Sequence, residues 1–197
     1  MARKITTSLL LFLLLMLPTQ VSEASPIDGQ LDKGLDEVEK TVEEVNEIDL
    51  AVHQSNQRIS SVLKEKAFQA VYDRSQLLQN VTKTKKELQE AKQTSLALQK
   101  EVKRIRADQD LEINEEDLAK LIKQTANTVR VIKESDYTLG TSTSEFVGLL
   151  QEVKSSNVLG AKAQLDALVQ SSNERVASLE KINEELTSLL QILQAIE

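Results

Sequence analysis

Cysteine and tryptophan are absent and histidine occurs once. Without cysteine there is no thiol nucleophile, no disulfide scaffold and no zinc–thiolate site, and a single histidine makes no cluster of imidazole ligands. Aromatic residues make up only 3% of the 197 positions. The five glycines are scattered, so no glycine-rich phosphate loop exists, and both prolines lie at or before Pro26. The proline-free remainder is rich in Leu, Glu, Lys, Gln and Ala. It predicts helix, because sheets and loops need more glycine and proline punctuation. With 40% hydrophobic and 28% charged residues the chain can still bury an apolar core.

Long apolar runs are lacking too, with one exception. Leu9–Leu17 (LLLFLLLML) follows the basic pair Arg3-Lys4, is broken by Pro18 and leads to Ser22-Glu23-Ala24. Ser22 and Ala24 are the small residues that a signal peptidase admits at −3 and −1, so residues 1–24 read as a cleavable signal peptide. A membrane span needs about 20 apolar residues, and this run has nine. No cysteine follows to carry a lipid anchor. Cleavage removes two basic residues and one acidic one, taking the net charge from −7 to −8. An acidic exported chain is a poor nucleic-acid binder, since that binding depends on neutralising phosphates. The expected location is the periplasm or the cell surface.

Residues 25–34 form a short leader. Leu31, Leu35, Val38, Val42 and Val45 then recur at spacings of 4 and 3, the seam of a helix pressed on another helix. Continued strictly, the seam passes through Asp49 and Asn56, with Ile48 and Val52 close by; Ile59, Leu63, Ala67 and Val71 resume it. The slip predicts a stutter, bend or break near His53–Asn56. A second seam runs through Leu77, Val81, Thr84, Leu88, Ala91, Ser95, Leu98, Val102 and Ile105. Whether 35–106 is one helix or two stays open. Asp108–Asp117 (DQDLEINEED) reads as an acidic loop, with Asn114 as the N-cap of a helix to about Lys133. Ser135–Ser144 reads as a loop in which Gly140 offers a positive φ. A short helix over 145–155, with Phe146, Leu149, Leu150 and Val153 on one face, ends at a Ser155-Ser156-Asn157 junction. Leu165, Leu168, Ser172, Val176, Leu179, Ile182, Leu186, Leu189, Leu193 and Ile196 stripe a terminal helix, which needs a partner face to be stable in water. The natural partner is the upstream helical segment, running the other way. The fold class expected is therefore all-α, an elongated antiparallel helical bundle or coiled-coil hairpin with a small helical cap. Residues 25–197 form one elongated domain: a long helical segment to 106, loops and cap helices over 107–160, and the terminal helix from 161.

The residues offer little chemistry. His53 and Asp49 stand one helical turn apart, a spacing that could hold a metal weakly, but one histidine supports no usual mechanism and reads as a surface or packed residue. Asp108, Asp110 and Glu112 alternate like calcium ligands, yet Ile113 stands where the loop needs Gly and Ala119 where it needs Glu. Lys83–Arg106 holds eight basic residues against three acidic, and 28–50 nine acidic against two basic. The two blocks either neutralise each other, if the chain folds back, or leave a basic helix to dock an acidic partner. Asn80-Val81-Thr82 is a glycosylation sequon, set aside because Val81 falls on the seam. No catalytic, cofactor or metal site is expected, and the chain reads as a non-enzyme.

One stretch carries a likeness. Asn127-Thr-Val-Arg-Val-Ile-Lys-Glu-Ser-Asp-Tyr137-Thr-Leu-Gly140 is followed by Ser144-Glu-Phe146, then by Ser156-Asn-Val-Leu-Gly160-Ala-Lys-Ala-Gln164-Leu-Asp-Ala-Leu-Val-Gln170-Ser-Ser-Asn173 and a Leu-rich helix. Over roughly 120–193 this resembles the TrbJ-like minor pilus subunits of conjugative type IV secretion systems. It departs from that pattern in lacking a Pro-rich continuation after Phe146 and in having Lys162 where the family often has Gln. The resemblance implies a non-enzymatic structural component whose partners are pilus or secretion-channel subunits. Tyr137, Phe146, Gly160, Gln164, Gln170 and Asn173 are the matching positions, with Gly140 among the candidate partner-binding residues. No cofactor is implied, and self-association stays open. The alternative is a free periplasmic coiled-coil binding or chaperone protein. N-terminal sequencing of the exported protein should begin at Ser25; full-length chain held in the inner membrane would contradict the signal-peptide reading.

Overall fold

The structure is a computed structural model that describes residues 26–65, 73–108, 111–140 and 142–196. The signal segment 1–24 and the seam residues Ala67 and Val71 lie outside the described residues. Five helices follow in order: α1 (Pro26–Leu63), α2 (Ser75–Ala107), α3 (Glu115–Gly140), α4 (Ser142–Lys154) and α5 (Val158–Ala195). The two 38-residue helices, α1 and α5, are each about 57 Å long at 1.5 Å per residue. The elongated all-helical bundle expected from the sequence is what the chain forms.

The contacts set the topology. Arg106 of α2 meets Asp36 and Glu39 of α1, and Lys92 meets Asp49, so these helices are antiparallel. Gln124 and Asn127 of α3 reach Glu185, and Lys181 reaches Glu134, so α3 and α5 are antiparallel as well. Asn80 meets Ser172, and Arg104 meets the end of α5, so α2 and α5 run parallel. The terminal helix thus pairs head-to-tail with α3 and α4, not with α2, its most extensively packed neighbour. The helices α3 and α4 follow one another as a single rod, giving four rods that run up, down, up, down. The α1 and α5 rods sit diagonally opposite, each packing on α2 and on the α3–α4 rod.

Apolar seams close this arrangement. All nine positions of the α2 seam are buried, and so are all ten of the terminal stripe. Two hydrophobic clusters result. The lower one joins Leu35 to Val52 of α1 with the second half of α2, with α3 and with α5 from Leu179. The upper one joins Ile59, Val62 and Leu63 with Leu77, Val81, Leu149, Ala161, Leu165 and Leu168.

Helix ends explain where the chain turns. Helix α1 runs unbroken through His53–Asn56, so of the stutter, bend or break expected there the break does not occur; the reversal falls between Leu63 and Ser75. There Arg74 Nη1 donates to the Leu63 carbonyl at 2.7 Å, and the Ser75 amide donates to Asp73 Oδ1 at 2.9 Å. The segment to 106 is therefore two helices. Asn114 is the N-cap that the sequence indicated: its Oδ1 accepts from the Asp117 amide at 2.8 Å. Hydrogen bonds from Lys120 and Asn114 hold the Asp117 carboxyl below its usual pKa. Its contribution to stability is therefore present above the ordinary carboxylate pKa and lost as pH falls through the lowered one. The expected 135–144 loop is helical on both sides of residue 141, and Gly140 ends α3 inside the helix. Residues 107–160 thus supply a full third rod.

The positive φ occurs elsewhere, at Ser156 (φ 58°). The Ser156 amide bonds to the Val153 carbonyl at 3.2 Å and the Asn157 amide to the Glu152 carbonyl at 3.0 Å, a Schellman ending for α4. Asn157 then caps α5, its Oδ1 accepting from the Gly160 amide at 3.2 Å. Ser156→Gly should raise stability by about 1 kcal/mol, because the left-handed conformation strains any residue with a Cβ; an unchanged melting midpoint would show that the turn is not so strained. Leu186→Asp places a carboxylate where the native side chain is wholly buried. It should cost about 3 to 5 kcal/mol in chemical denaturation.

Candidate functional site

Between the two apolar clusters lies a belt of buried polar side chains. Helix α1 gives Asn56 and the half-buried Ser55, α2 gives Asn80, Thr84 and Glu87, α3 gives Ser135, and α5 gives Ser171, Ser172 and Arg175. Each comes from a seam position or its neighbour. The slip that the sequence shows at His53–Asn56 is where α1 turns Asn56, not an apolar residue, into the interior.

Hydrogen bonds order the belt. Asn80 Nδ2 donates to Ser172 Oγ and to Asn173 Oδ1, both at 2.7 Å. Asn183 Nδ2 donates to the backbone carbonyl and to a carboxylate oxygen of Glu87, both at 2.9 Å. Arg175, 1% exposed, crosses the bundle diagonal and donates from Nη1 to Ser55 Oγ at 2.9 Å. The Oδ1 of buried Asn56 accepts no hydrogen bond. The belt supplies donors and acceptors but no nucleophile–base pair. What it does physically is fix register, since sliding any rod by a turn strands polar groups in an apolar core.

Asn80 is only 2% exposed and its amide nitrogen is engaged, so in the folded chain it presents no glycosylation site. His53 is exposed, with Nε2 2.9 Å from Gln57 Nε2, while Asp49 is held by Lys92 at 2.6 Å. Among the described residues no group of three or more His, Cys, Asp or Glu side chains could hold a metal ion. The basic and acidic blocks meet where the chain folds back, through Lys92–Asp49 and the fork of Arg106 on Asp36 and Glu39.

The residues singled out from the sequence lie on α3, α4 and α5. Tyr137 and Gly140 lie in the last turns of α3, and their surroundings fall outside the described residues. Phe146 is half-buried against the upper cluster. A Cβ on Gly160 would sit 2.5 Å from Glu152 Oε2 and 2.6 Å from Asn157 Nδ2, so the ends of these two side chains close over the glycine in the α4–α5 turn. Gln164 packs toward α4, where its Oε1 lies 2.8 Å from the place of a Cβ on Gly148. Asn173 faces α2, and exposed Gln170 donates to Glu174 at 3.1 Å. The sequence reading missed Asn80, Glu87 and Arg175. A strict 3–4 spacing from Leu168 through Ser172 reaches Arg175 before Leu179, which is the signal that would have placed a charge in the core.

Among the described residues, an open apolar groove and exposed apolar side chains at one end stand out. A groove of about 470 Å³ between α1 and α3 is lined by Gln30, Lys33, Gly34, Glu37, Ile122, Thr125, Ala126 and Val129. At the upper tip, Val158 and Leu159 are exposed, Leu159 at 82%, and Val147 is exposed about two turns before the end of α4. Among the described residues no helix is long and apolar enough to cross a membrane. Comparison with protein-family models, curated proteins and solved structures returns no match. Arg175→Ala should lower the unfolding free energy by about 2 to 4 kcal/mol, through the cavity it leaves and the lost bond to Ser55; urea denaturation checks this, and an unchanged midpoint would show that the belt carries no structural burden.

Proposed function

We propose that this chain is an exported, non-enzymatic structural subunit that works by packing against other proteins, as a pilus-associated component of a conjugation or type IV secretion apparatus. The observation that carries the protein–protein part of this reading is the apolar tip. Val158 and Leu159 stand exposed beside a doubly capped turn at one end of a long rod. Exposed apolar residues held on a rigid scaffold suit recognition. The tip also includes Gly160, one of the candidate partner-binding residues named from the sequence. The conjugation part rests on the resemblance over 120–193. The rods serve as a stalk that sets the tip at a distance from the chain's other end.

The groove between α1 and α3 favours the second reading, a free periplasmic binding or chaperone protein, because an apolar channel between two helices accommodates a partner's apolar segment.

Leu159→Glu separates fold from function. The side chain is mostly solvent-facing, so melting by circular dichroism should change little, within about 0.5 kcal/mol. A deletion strain complemented with this variant should transfer plasmid at least about tenfold less well than one carrying the native chain, a loss of more than 1.4 kcal/mol of association. Full transfer by the variant would move the contact surface off the tip. Full transfer by the deletion strain, with no second copy of the gene, would remove the secretion reading and leave the binding-protein alternative.

A further inference from the structure

Helix α3 carries two stripes. One, Leu118, Leu121, Thr125 and Thr128, is buried in the bundle. The second lies one residue further on at each step: Ala119, Ile122 and Ala126 are exposed and Val129 is half-buried. Its spacings of 3, 4 and 3 are those of a seam between packed helices. This seam faces outward, and Ile122, Ala126 and Val129 form one wall of the groove shared with α1. Buried Gly34 and Thr125 form the groove's floor. An added Cβ on Gly34 would meet Leu121 Cδ2 at 3.4 Å, and Thr125 directs its hydroxyl to the Leu121 carbonyl at 2.8 Å. The floor therefore suits an apolar occupant.

The seam identifies that occupant. It continues at the same spacing to exposed Glu115 at one end and exposed Lys133 at the other. The whole pattern is symmetric about residue 124: Ile122 and Ala126 stand two residues to either side, Ala119 and Val129 five, Glu115 and Lys133 nine. Laid antiparallel on a second α3, the stripe complements itself. Ile122 meets Ala126, Val129 meets Ala119, and each carboxylate meets an ammonium. Large side chains opposite small ones let two helices approach within 8–10 Å or so. A two-fold axis makes every such contact twice.

We propose that two copies of this chain pair about a two-fold axis at the middle of α3, each laying its 119–129 stripe into the other's groove between α1 and α3, with Glu115 of each copy against Lys133 of the other. The contact runs about 27 Å along α3. The proposal depends on neither functional reading above, and it fills the groove that would otherwise take a foreign segment.

Sedimentation equilibrium of the exported chain tests this. The native chain should be dimeric, with a Kd of about 10 μM or tighter. Ala126→Arg puts a long cation where Ile122 of the second copy must pack. It should weaken pairing at least about 100-fold, with the circular dichroism spectrum unchanged because Ala126 is exposed. Charge exchange reads the register. Glu115→Lys and Lys133→Glu, each alone, set like charges together at both ends and should weaken the dimer about tenfold. The two combined should restore it. A native chain monomeric at roughly 100 μM would overturn the proposal, and capture of a foreign amphipathic helix by that monomer would assign the groove to another partner. A dimer untouched by Ala126→Arg would overturn it by moving the interface elsewhere. A double exchange that fails to restore pairing would overturn the antiparallel register. If Ala126→Arg unfolds the chain, the charge exchange decides alone.

Discussion

Everything in this bundle depends on burying one face of α5. With no disulfide available and few aromatic residues, the chain coheres through interdigitated Leu, Val and Ile at 3–4 spacing. Helix α5 carries the longest such face, and that face is shared between α2, running parallel, and the α3–α4 rod, running antiparallel. An isolated amphipathic helix of this kind is not stable in water, so the other rods are arranged by where they meet it. Arg104 closes the lower end of that contact by donating to the Leu193 and Ile196 carbonyls at 3.1 and 2.8 Å, a cation where the helix dipole is negative.

Such seams specify contact better than register, because one heptad resembles the next. The polar belt breaks the degeneracy. Asn80 has its partners at one level only, Glu87 meets Asn183, and Arg175 meets Ser55 across the diagonal. Buried polar groups of this type fix alignment in coiled coils, at some cost in stability. Here they also divide the apolar interior, leaving a larger lower cluster and a smaller upper one covered by α4.

Much of this was legible in the sequence. The α2 and α5 seams, the Asn114 cap and the Asn157 junction all lie where the residue pattern puts them, because each has a local physical cause. The reversal after Leu63 was hidden: no glycine or proline marks it, and the apolar spacing of Ile59, Leu63, Ala67 and Val71 carries on as though the helix did. Its signal, Asp73 before Ser75, is a single short side chain that accepts one backbone bond. The 135–144 stretch misleads in the opposite sense. It is polar and holds a glycine, yet Ser135 at its start bonds back to the Val131 carbonyl at 2.7 Å and α3 runs on to Gly140. Arg175 was overlooked because Val176 beside it fits the apolar stripe, although the strict heptad points to the arginine.

The central claim is that α2 and α5 lie parallel in a register fixed by the belt. A double-mutant cycle on Asn80→Ala and Ser172→Ala, read by urea denaturation, tests it most directly. If the two side chains share the 2.7 Å hydrogen bond, the double variant loses less than the two single losses added together, with a coupling of about 0.5 to 1.5 kcal/mol. Strict additivity would mean that the side chains do not meet, and that α2 and α5 are set against each other in some other register.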